Sequence, residues 1–211
     1  MVKKEPRLEL IIGPMFSGKS TQLNSRMGRY RVNHEIQLFN HAMDERYGKE
    51  HVISHDGFKM PATYANSAAQ LREKTDPKAM VIGIDEIQFF DSDIIPLCEE
   101  YVNAGIIIVA GGLLKDFRDE YFPFRDNKKN MSDLLLVADS ISIYTAICNF
   151  EEKEEDKCGK KATRVQRFID GSVAPYDSPT VLVGGKESYA PRCRQHYQFY
   201  TLNRQKASSL R

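Results

Sequence analysis

The stretch Ile11-Ile12-Gly13-Pro14-Met15-Phe16-Ser17-Gly18-Lys19-Ser20-Thr21 is the most informative segment of this chain. It follows the apolar run 8–12 and opens a segment, 20–34, that contains no proline and only one glycine. A glycine, four residues and then Gly-Lys-Ser is the spacing of a P-loop, which joins a strand to a helix. The flanking segments meet that requirement, so the sequence predicts a domain that binds a nucleoside triphosphate.

Each part of this motif has a physical role in holding phosphate. Glycines let the backbone turn its N–H groups toward phosphate oxygens, and the helix that follows adds the positive end of its dipole. Lys19 is expected to reach the β- and γ-phosphates, and the Ser20 hydroxyl is expected to ligate Mg²⁺. The alternative is a turn between a strand and a helix that binds no ligand.

Composition limits the possible classes of protein. The chain has 211 residues, 41% of them apolar and 28% charged, which suits one domain or one larger domain with a small appendage. No apolar run approaches the length of about 18 residues needed for a membrane span, and the first residues lack a signal-peptide pattern. The formal net charge is +1, with no block of five basic residues, which argues against a nucleic-acid surface. A cytoplasmic protein that binds neither membrane nor nucleic acid is expected.

Apolar runs and helical patterns alternate along the first two thirds of the chain. Continuous apolar strands of this kind predict an α/β fold, a parallel P-loop sheet with helices on both faces. The predicted strands are 8–12, 36–39, 80–84, 106–110 and 141–145, the predicted helices are 20–33, 65–74, 93–103 and 131–139, and 40–61 is a long irregular segment. After Cys148 the pattern changes to short β-like runs and turns. We therefore predict a nucleotide-binding domain over 1–146, a small cysteine-containing domain over 147–200 and a basic tail over 201–211.

Two acidic residues, Asp85 and Glu86, follow the predicted strand 80–84. In parallel sheets ligands bind beyond the carboxyl ends of the strands, where Asp85 would hold Mg²⁺ directly or through water. If both residues were extended, their side chains would point to opposite sides, leaving Glu86 free to take a proton from an attacking hydroxyl. The alternative is that Asp85 caps the next element and Glu86 is merely solvated.

Several classes of P-loop protein remain open at this point. A GTPase would need Asn-Lys-x-Asp, and the nearest match, Asn127-Lys128-Lys129-Asn130, lacks the final acid. A helicase or another motor would be larger and more basic. A small-molecule kinase fits the size of the chain best.

The chain resembles the thymidine kinases of the cytosolic, zinc-containing type over about residues 8 to 200. The motifs that carry the resemblance are Gly13 to Thr21, Asp44-x-Arg46-Tyr47, Ser54-His55-x-Gly57, Asp85-Glu86-Ile87-Gln88-Phe89-Phe90, Asp116-Phe117-Arg118 with Phe122, Val183-Gly184-Gly185, Tyr189 and Cys193-Arg194-Gln195-His196. The resemblance implies transfer of a phosphoryl group from ATP to the 5′-hydroxyl of thymidine, and deoxyuridine as a second substrate. It also implies a homotetramer and feedback inhibition by thymidine triphosphate.

The resemblance also implies a role for individual residues. Glu86 would be the general base, and Ser20 and Asp85 would hold Mg²⁺. The residues implied at the nucleotide are Gly13, Pro14, Met15, Phe16, Ser17, Gly18, Lys19, Ser20, Asp44, Arg46, Asp85 and Gln88. Those implied at thymidine are Leu113, Phe117, Phe122, Thr163, Thr180, Val181, Leu182, Val183, Gly184 and Tyr189. Residues 180–184 would belong to a lasso-like loop that reads the thymine edge, and Tyr189 would close on it.

Three of the four cysteines lie in the last third of the chain, together with His196. In a reducing compartment this clustering favours a metal over disulfides, and Cys148, Cys158, Cys193 and His196 form a plausible tetrahedral zinc set. Cys193 and His196 have ordinary ligand spacing, but nine residues separate Cys148 from Cys158, where the family commonly has Cys-x-x-Cys. We interpret this insertion as a solvated loop and the zinc as structural. Cys98 lies on an apolar helix face and is expected in the core.

Two rival functions remain. The first is a P-loop kinase that acts on another nucleoside or on a nucleotide. The second is a zinc-ribbon ATPase that binds nucleic acid, which would need a basic stripe that the sequence does not contain.

Overall fold

The computed structural model describes residues 5–41, 51–53, 59–151, 157–182, 185 and 187–200. Contacts divide the chain into two units. The first comprises Met1–Gly13, Gly18–Leu114 and Tyr121–Tyr144, and the second comprises Pro14–Ser17, Lys115–Glu120 and Thr145–Arg211. The domain boundaries given by the sequence stay a prediction.

The first unit alternates strands and helices. Its elements in chain order are β1 (Leu8–Ile12), α1 (Lys19–Tyr30), β2 (Ile36–His41), β3 (His51–Ile53), β4 (Lys59–Pro61), β5 (Thr63–Ala65), α2 (Ala68–Lys74), β6 (Val81–Asp85), a 3₁₀ turn (Ile87–Phe89), α3 (Ile94–Asn103), β7 (Ile107–Gly112), α4 (Met131–Leu136) and β8 (Ser140–Ile143). Among the described residues no helix combines the length and the apolar character that a membrane span requires.

Six strands of the first unit form one sheet in the order β5-β2-β6-β7-β1-β8. Every neighbouring pair in this sheet is parallel. All residues of β1, β6 and β7 are buried, whichever face their side chains point to. Because successive side chains of a strand point to opposite faces, both faces of the sheet are covered. The predicted α/β fold with a parallel sheet is confirmed.

Helix α1 covers one face of the sheet with an apolar stripe. Leu23 and Met27 of α1 are fully buried in a cluster with residues from four strands of the sheet: Ile11, Leu38, Val81, Ile107 and Val109. Helix α3 packs on β1 and β7. Gly83 of β6 is required by this packing, since a Cβ there would lie 2.6 Å from Cδ1 of Leu38 and 2.9 Å from the sulfur of Met27.

A buried ionic cluster fastens β1 to α1. Glu9 accepts hydrogen bonds from Nε of Arg7 at 2.9 Å, from Nη1 of Arg26 at 2.9 Å and from the Tyr30 hydroxyl at 2.7 Å. Burial alone would raise the pKa of Glu9, but the bond from Tyr30 and the charges of Arg7 and Arg26 outweigh it and lower the pKa. This cluster could not be read from a local pattern, because Arg26 and Tyr30 lie 17 and 21 positions from Glu9 along the chain.

Two predicted helices are shorter in the structure. The helix predicted over 65–74 begins at Ala68, because the Ser67 side chain caps it by accepting from the amide of Gln70, while Ala65 pairs with His41 in the sheet. The helix predicted over 131–139 ends at Leu136. Asp139 instead accepts a hydrogen bond from the amide of Leu8 at 2.8 Å and donates its own amide to the Leu8 carbonyl.

Other element boundaries also shift. Helix α1 ends at Tyr30 rather than residue 33, and the last strand of the sheet ends at Ile143 rather than residue 145. The segment 40–61, predicted to be irregular, contains the antiparallel pair β3–β4. Cys98 is buried in α3, as predicted.

The second unit contains short antiparallel strands. They are β9 (Ala146–Ile147), β10 (Lys161–Ala162), β11 (Arg164–Ile169), β12 (Ser172–Val173) and β13 (Tyr189–Arg192). β11 lies between β12 and β13 in one sheet, and β9 pairs with β10 in another. The small size of these sheets is consistent with a unit that needs a further source of stability.

Candidate active site and metal centre

The P-loop leaves β1 after Ile12 and enters α1 at Lys19. Gly18, the residue before α1, has a left-handed φ of 79°, which glycine adopts without steric cost. Lys19 is only 8% exposed and lies in the first turn of a 12-residue helix. The amides and the dipole at a helix start favour anions.

Ser17 supplies a structural observation in favour of a ligand at this loop. Its hydroxyl oxygen is buried and has no hydrogen-bond partner among the described residues. Buried polar groups are normally paired, so an orphaned hydroxyl in a P-loop fits a site that a bound phosphate group would complete. Phe16, the preceding residue, packs within the second unit against a cluster of Ala146, Cys148, Ala162 and Cys193.

Asp85 and Ser20 come together in the first unit. Asp85 ends β6 and is 3% exposed, and the Ser20 hydroxyl is hydrogen-bonded to its carboxylate. Burial and, to a smaller extent, the neighbouring charge of Glu86 raise the pKa of Asp85 to about 7, although the bond from Ser20 and the charge of Lys19 oppose this rise. A divalent cation stabilises such a carboxylate in its charged form, and a carboxylate with a hydroxyl is the hard-oxygen donor set that Mg²⁺ prefers.

Glu86 has a backbone conformation that was not predicted. Its φ is 51°, in the left-handed region, so the assumption of two consecutive extended residues was wrong. Such a conformation is costly for a residue with a Cβ and is concentrated at functional sites. Glu86 lies where β6 has ended at Asp85 and the chain turns at once into the 3₁₀ turn.

Gln88 holds the carboxylate of Glu86 in place. Its Nε2 donates to Oε2 of Glu86 at 2.6 Å, and its Oε1 accepts from the amide of Leu113 at 2.9 Å. The Gln88 side chain is fully buried. Gln88 therefore links Glu86, which follows β6, to Leu113, which follows β7.

Gly111 and Gly112, at the end of β7, leave space for these groups. β7 lies between β6 and β1 in the sheet. A Cβ on Gly111 would lie 3.1 Å from Oδ1 of Asp85, and a Cβ on Gly112 would lie 2.6 Å from Oε1 of Gln88. The glycine pair therefore permits the close approach of both polar side chains to the backbone of β7.

Two residues implied at thymidine belong to the first unit. Leu113 supplies its amide to Gln88, and Phe122 is 5% exposed with its ring edge-on to Phe89 at a centroid distance of 5.8 Å. They lie within one unit with Glu86. The implied roles of these side chains at thymidine remain predictions.

Phe117 belongs to the second unit and is 3% exposed. The guanidinium carbons of Arg118 and Arg167 lie 4.4 Å and 5.0 Å from its ring centroid. The same two arginines donate to backbone carbonyls of residues 175–182, which we call the lasso segment: Arg118 to Tyr176 and Ser178, and Arg167 to Pro179. Sequence reasoning did not assign a role to either arginine, and no local pattern marks Arg167.

The lasso segment is also held at its far end. The Tyr189 hydroxyl donates to the carbonyl of Leu182 at 2.9 Å. The implied role of Tyr189 at thymidine stays a prediction. The Thr180 hydroxyl accepts from Nη1 of Arg118 at 3.1 Å, and that of Thr163 accepts from Arg164 at 3.0 Å. Val181 is partly exposed. Asp44, Arg46, Val183 and Gly184 lie outside the described residues.

The predicted metal ligands converge in the second unit. The ligand atoms of Cys148, Cys158, Cys193 and His196 all lie within 4.8 Å of one another. The Cys148 sulfur is 3.7 Å from Nδ1 of His196, and the sulfurs of Cys158 and Cys193 are 3.9 Å apart. A tetrahedral ion with bonds of about 2.0–2.3 Å would separate its ligands by similar distances. The Phe150 ring stacks on the ring of His196 at 4.3 Å and orients it.

A hairpin explains the long spacing between the first two ligands. Glu151 and Lys157 form an antiparallel bridge, and their side chains are paired at 3.2 Å. The Cys158 amide donates to the Phe150 carbonyl, and the Cys148 amide donates to the Lys160 carbonyl. The insertion is thus closed at its base, and the two thiols meet although nine residues separate them.

Comparison with known proteins identifies the family. Residues 6–197 match the family described as thymidine kinase. The chain belongs to the thymidine kinase family.

Similar proteins named thymidine kinase occur in distant organisms. That of Mesoplasma florum is 41% identical over 197 residues, covering 90% of this chain and 91% of the relative. Those of Thermococcus kodakarensis and Deinococcus deserti are 40% and 41% identical, and each match covers 90% of this chain and 93% of the relative. A kinase family of this kind implies thymidine and ATP as substrates, with Mg²⁺ at the phosphates.

Proposed function

We propose that this protein transfers the γ-phosphoryl group of ATP to the 5′-hydroxyl of thymidine, giving thymidine monophosphate for the salvage of DNA precursors. The observation that carries the proposal is Glu86, a carboxylate in a strained backbone conformation that Gln88 fixes beside Asp85 and Ser20. Membership of the thymidine kinase family supports the choice of acceptor.

The phosphate side of the reaction is assigned to the P-loop. The start of α1 and the ammonium group of Lys19 bind the negative charge of the triphosphate. Ser20 and Asp85 would hold Mg²⁺, which when bound neutralises charge on the phosphate oxygens. The orphaned hydroxyl of Ser17 supports a phosphate ligand at this loop. The resemblance implies that Asp44 and Arg46 also bind the nucleotide.

Glu86 is assigned to the acceptor hydroxyl as general base. Phosphoryl transfer requires mainly positioning and charge neutralisation, and a carboxylate within reach of the hydroxyl removes its proton as the new bond forms. Gln88 positions this carboxylate by a direct hydrogen bond, so we assign Gln88 to Glu86 rather than to the nucleotide.

The nucleoside side is assigned to Leu113, Phe122 and, in the second unit, to Phe117, Tyr189 and the lasso segment. A neutral pyrimidine can be recognised by backbone donors and acceptors next to aromatic rings. The lasso segment lacks regular secondary structure over 175–182, so its amides are not committed to a sheet. Deoxyuridine, which has the same hydrogen-bonding edge, is expected as a second substrate.

The metal of the Cys₃His cluster is assigned as zinc with a structural role. Three thiolates and one imidazole are a closed donor set for tetrahedral Zn²⁺, which leaves no open position for substrate. Such an ion contributes folding free energy to a unit whose sheets are small.

The proposal is tested by supplying ATP labelled at the γ-phosphate, Mg²⁺ and one nucleoside at a time. Transfer of label to thymidine and deoxyuridine, with little transfer to deoxycytidine, is expected. Transfer to deoxycytidine or to a nucleotide instead would favour a different P-loop kinase. ATP hydrolysis stimulated by DNA or RNA, without labelled nucleoside, would favour the nucleic-acid-binding ATPase.

Three further properties are proposed on the family resemblance. They are a homotetrameric assembly, inhibition by thymidine triphosphate and a cytoplasmic location. Sedimentation of the purified protein tests the first, and inhibition kinetics with thymidine triphosphate test the second.

A further inference from the structure

Arg118 makes three hydrogen bonds to the lasso segment, and the proposed function gives it no role. Its Nε donates to the carbonyl of Tyr176 at 2.6 Å, and its Nη2 donates to the carbonyl of Ser178 at 2.5 Å. Its Nη1 donates to the Thr180 hydroxyl at 3.1 Å. One guanidinium therefore contacts every second residue along this part of the segment.

The lasso segment needs donors from outside itself. It begins with Pro175 and contains Pro179, and proline has no amide hydrogen to donate. Among the described residues, the Ser178 amide, which donates to the Pro175 carbonyl, is the only amide of the segment in a backbone hydrogen bond. Carbonyls in such an irregular stretch must be satisfied by side chains or water. The planar fork of an arginine meets several of them at once in a fixed geometry.

Arg118 is itself held in a single orientation. Asp116 accepts from the Arg118 amide at 2.8 Å with one carboxylate oxygen and from Nη1 at 2.5 Å with the other. The guanidinium also lies 4.4 Å from the ring centroid of Phe117. The Arg118 side chain is 12% exposed and that of Asp116 is 2% exposed, so water screens this pair little.

We propose that Arg118 is a positioning residue that fixes the lasso segment in the conformation that receives the nucleoside. Because the same guanidinium contacts Phe117 and three residues of the segment, it sets the ring and the backbone groups relative to one another. This inference rests on the proposed function of the segment in binding thymidine. Arg118 takes no part in the transfer of the phosphoryl group.

The test compares Arg118→Lys and Arg118→Ala with the wild type. Lysine keeps the charge but cannot fork between two carbonyls, so it separates charge from geometry. Both variants should raise the KM and the calorimetric Kd for thymidine by about tenfold or more, since they remove charge-assisted hydrogen bonds. The KM for ATP should stay within about twofold of wild type, since the Arg118 guanidinium donates to Asp116 and to the lasso segment rather than to the P-loop.

Limited chymotrypsin cleavage after Tyr176, without nucleoside or ATP, gives a readout that does not depend on activity. Cleavage should be faster in both variants, because the segment loses its anchor. The matched control is Arg72→Lys, since Arg72 also forks onto a carboxylate, that of Glu100, but on the exposed surface of the first unit. This control should match the wild type in thymidine affinity and in cleavage.

Unchanged thymidine affinity with unchanged cleavage in Arg118→Lys would overturn the inference, as would equal losses of affinity for thymidine and ATP. If Arg118→Ala does not fold, Arg118→Lys alone decides. A wild-type protein that phosphorylates another nucleoside would refute the proposed function instead. In that case faster cleavage and weaker binding of that nucleoside by Arg118→Lys would still support the positioning role.

Discussion

The Tyr197 hydroxyl donates a hydrogen bond of 2.7 Å to the carbonyl oxygen of Phe117. Both residues are 3% exposed, and both belong to the second unit. Tyr197 directly follows His196, and its amide donates to the carbonyl of Cys193, both of which belong to the Cys₃His cluster. A short, buried path therefore joins the Cys₃His cluster to an aromatic residue that we assign to the nucleoside.

Replacing Tyr197 by phenylalanine removes the hydroxyl that donates this hydrogen bond. The buried Phe117 carbonyl then loses its partner, which costs about 1–3 kcal/mol in comparable cases. We expect the KM for thymidine to rise several-fold, with the KM for ATP unchanged. Tyr101→Phe is the matched control, because Tyr101 donates to the Thr75 hydroxyl in the first unit. If Tyr197→Phe and Tyr101→Phe changed the KM for thymidine equally, the bond from Tyr197 to Phe117 would have no special role in nucleoside binding.

Removing the metal should disturb the same path. Dialysis against a strong chelator is expected to lower the melting temperature, weaken thymidine binding and expose the three ligand cysteines to a thiol reagent. Cys98 should stay unreactive until the protein unfolds, since burial raises its pKa to about 12. The measurements are zinc content, thiol titration and thermal melting.

Matched cysteine substitutions provide the control for the metal site. Cys158→Ser should reduce the zinc content of purified protein, whereas Cys98→Ser should leave it near one ion per chain. A folded, active wild-type protein with almost no zinc would show that the cluster does not need the metal.

Glu86→Gln should remove the general base while keeping the size of the side chain. We expect kcat to fall by about 10²–10⁴-fold, the usual contribution of a positioned base. Affinity for ATP should survive, because Ser20, Lys19 and Asp85 are unchanged. Near-normal turnover would exclude Glu86 from this role. Glu99→Gln, on an exposed position of α3, is the control and should leave kcat unaltered.

Gly112→Ala should disturb Glu86 indirectly. The added Cβ would lie 2.6 Å from Oε1 of Gln88 and 2.9 Å from Cγ2 of Ile87, so Gln88 must move away from Glu86. We expect a loss of about 1–3 kcal/mol in the free energy of unfolding, together with a lower kcat. The measurements are thermal melting and steady-state kinetics.

Gly28→Ala is the matched control for this crowding. Nothing lies within 4 Å of a Cβ at Gly28, which is in helix α1. Because alanine is the better helix former, this substitution should stabilise the protein by about 0.5–1 kcal/mol. If both alanine variants were equally stable and active, the crowding at Gly112 would be unimportant.

Glu9→Gln should reveal the contribution of the buried ionic cluster to stability. Breaking a buried pair by removing one charge typically costs about 3 kcal/mol. The folded-state pKa of Glu9 is below its ordinary value of 4.5, so its contribution is present above that value and is lost as the pH falls through the folded pKa. The difference in melting temperature between wild type and variant should therefore be large at pH 7 and shrink in acid.

An exposed ion pair provides the control for the substitution of Glu9. Arg72 and Glu100 are paired at 2.5 Å with half-exposed side chains, where solvent screens the interaction. Glu100→Gln should leave the melting temperature almost unchanged at every pH. A pH-independent difference between wild type and Glu9→Gln would argue against the lowered pKa.

Much of the fold could be predicted because it depends on local patterns. The P-loop spacing, the apolar runs that became β1, β6 and β7, and the position of Asp85 after a strand are all properties of short segments. The ends of helices and strands were predicted less accurately where a residue bonds to a partner far away in the sequence. Asp139 leaves its predicted helix to bond with Leu8, a residue 131 positions away.

The α/β class, the P-loop and the candidate Cys₃His cluster followed from local sequence patterns, and the thymidine kinase family followed from the resemblance. The folded chain was needed to see how Gln88 holds Glu86, how the Glu151–Lys157 bridge brings Cys148 close to Cys158, and how Arg118 contacts the lasso segment. Contacts of this kind join residues that are far apart in the chain or depend on a local turn such as that at Glu86. Their energies depend on burial and on distances between atoms, which local sequence patterns do not specify.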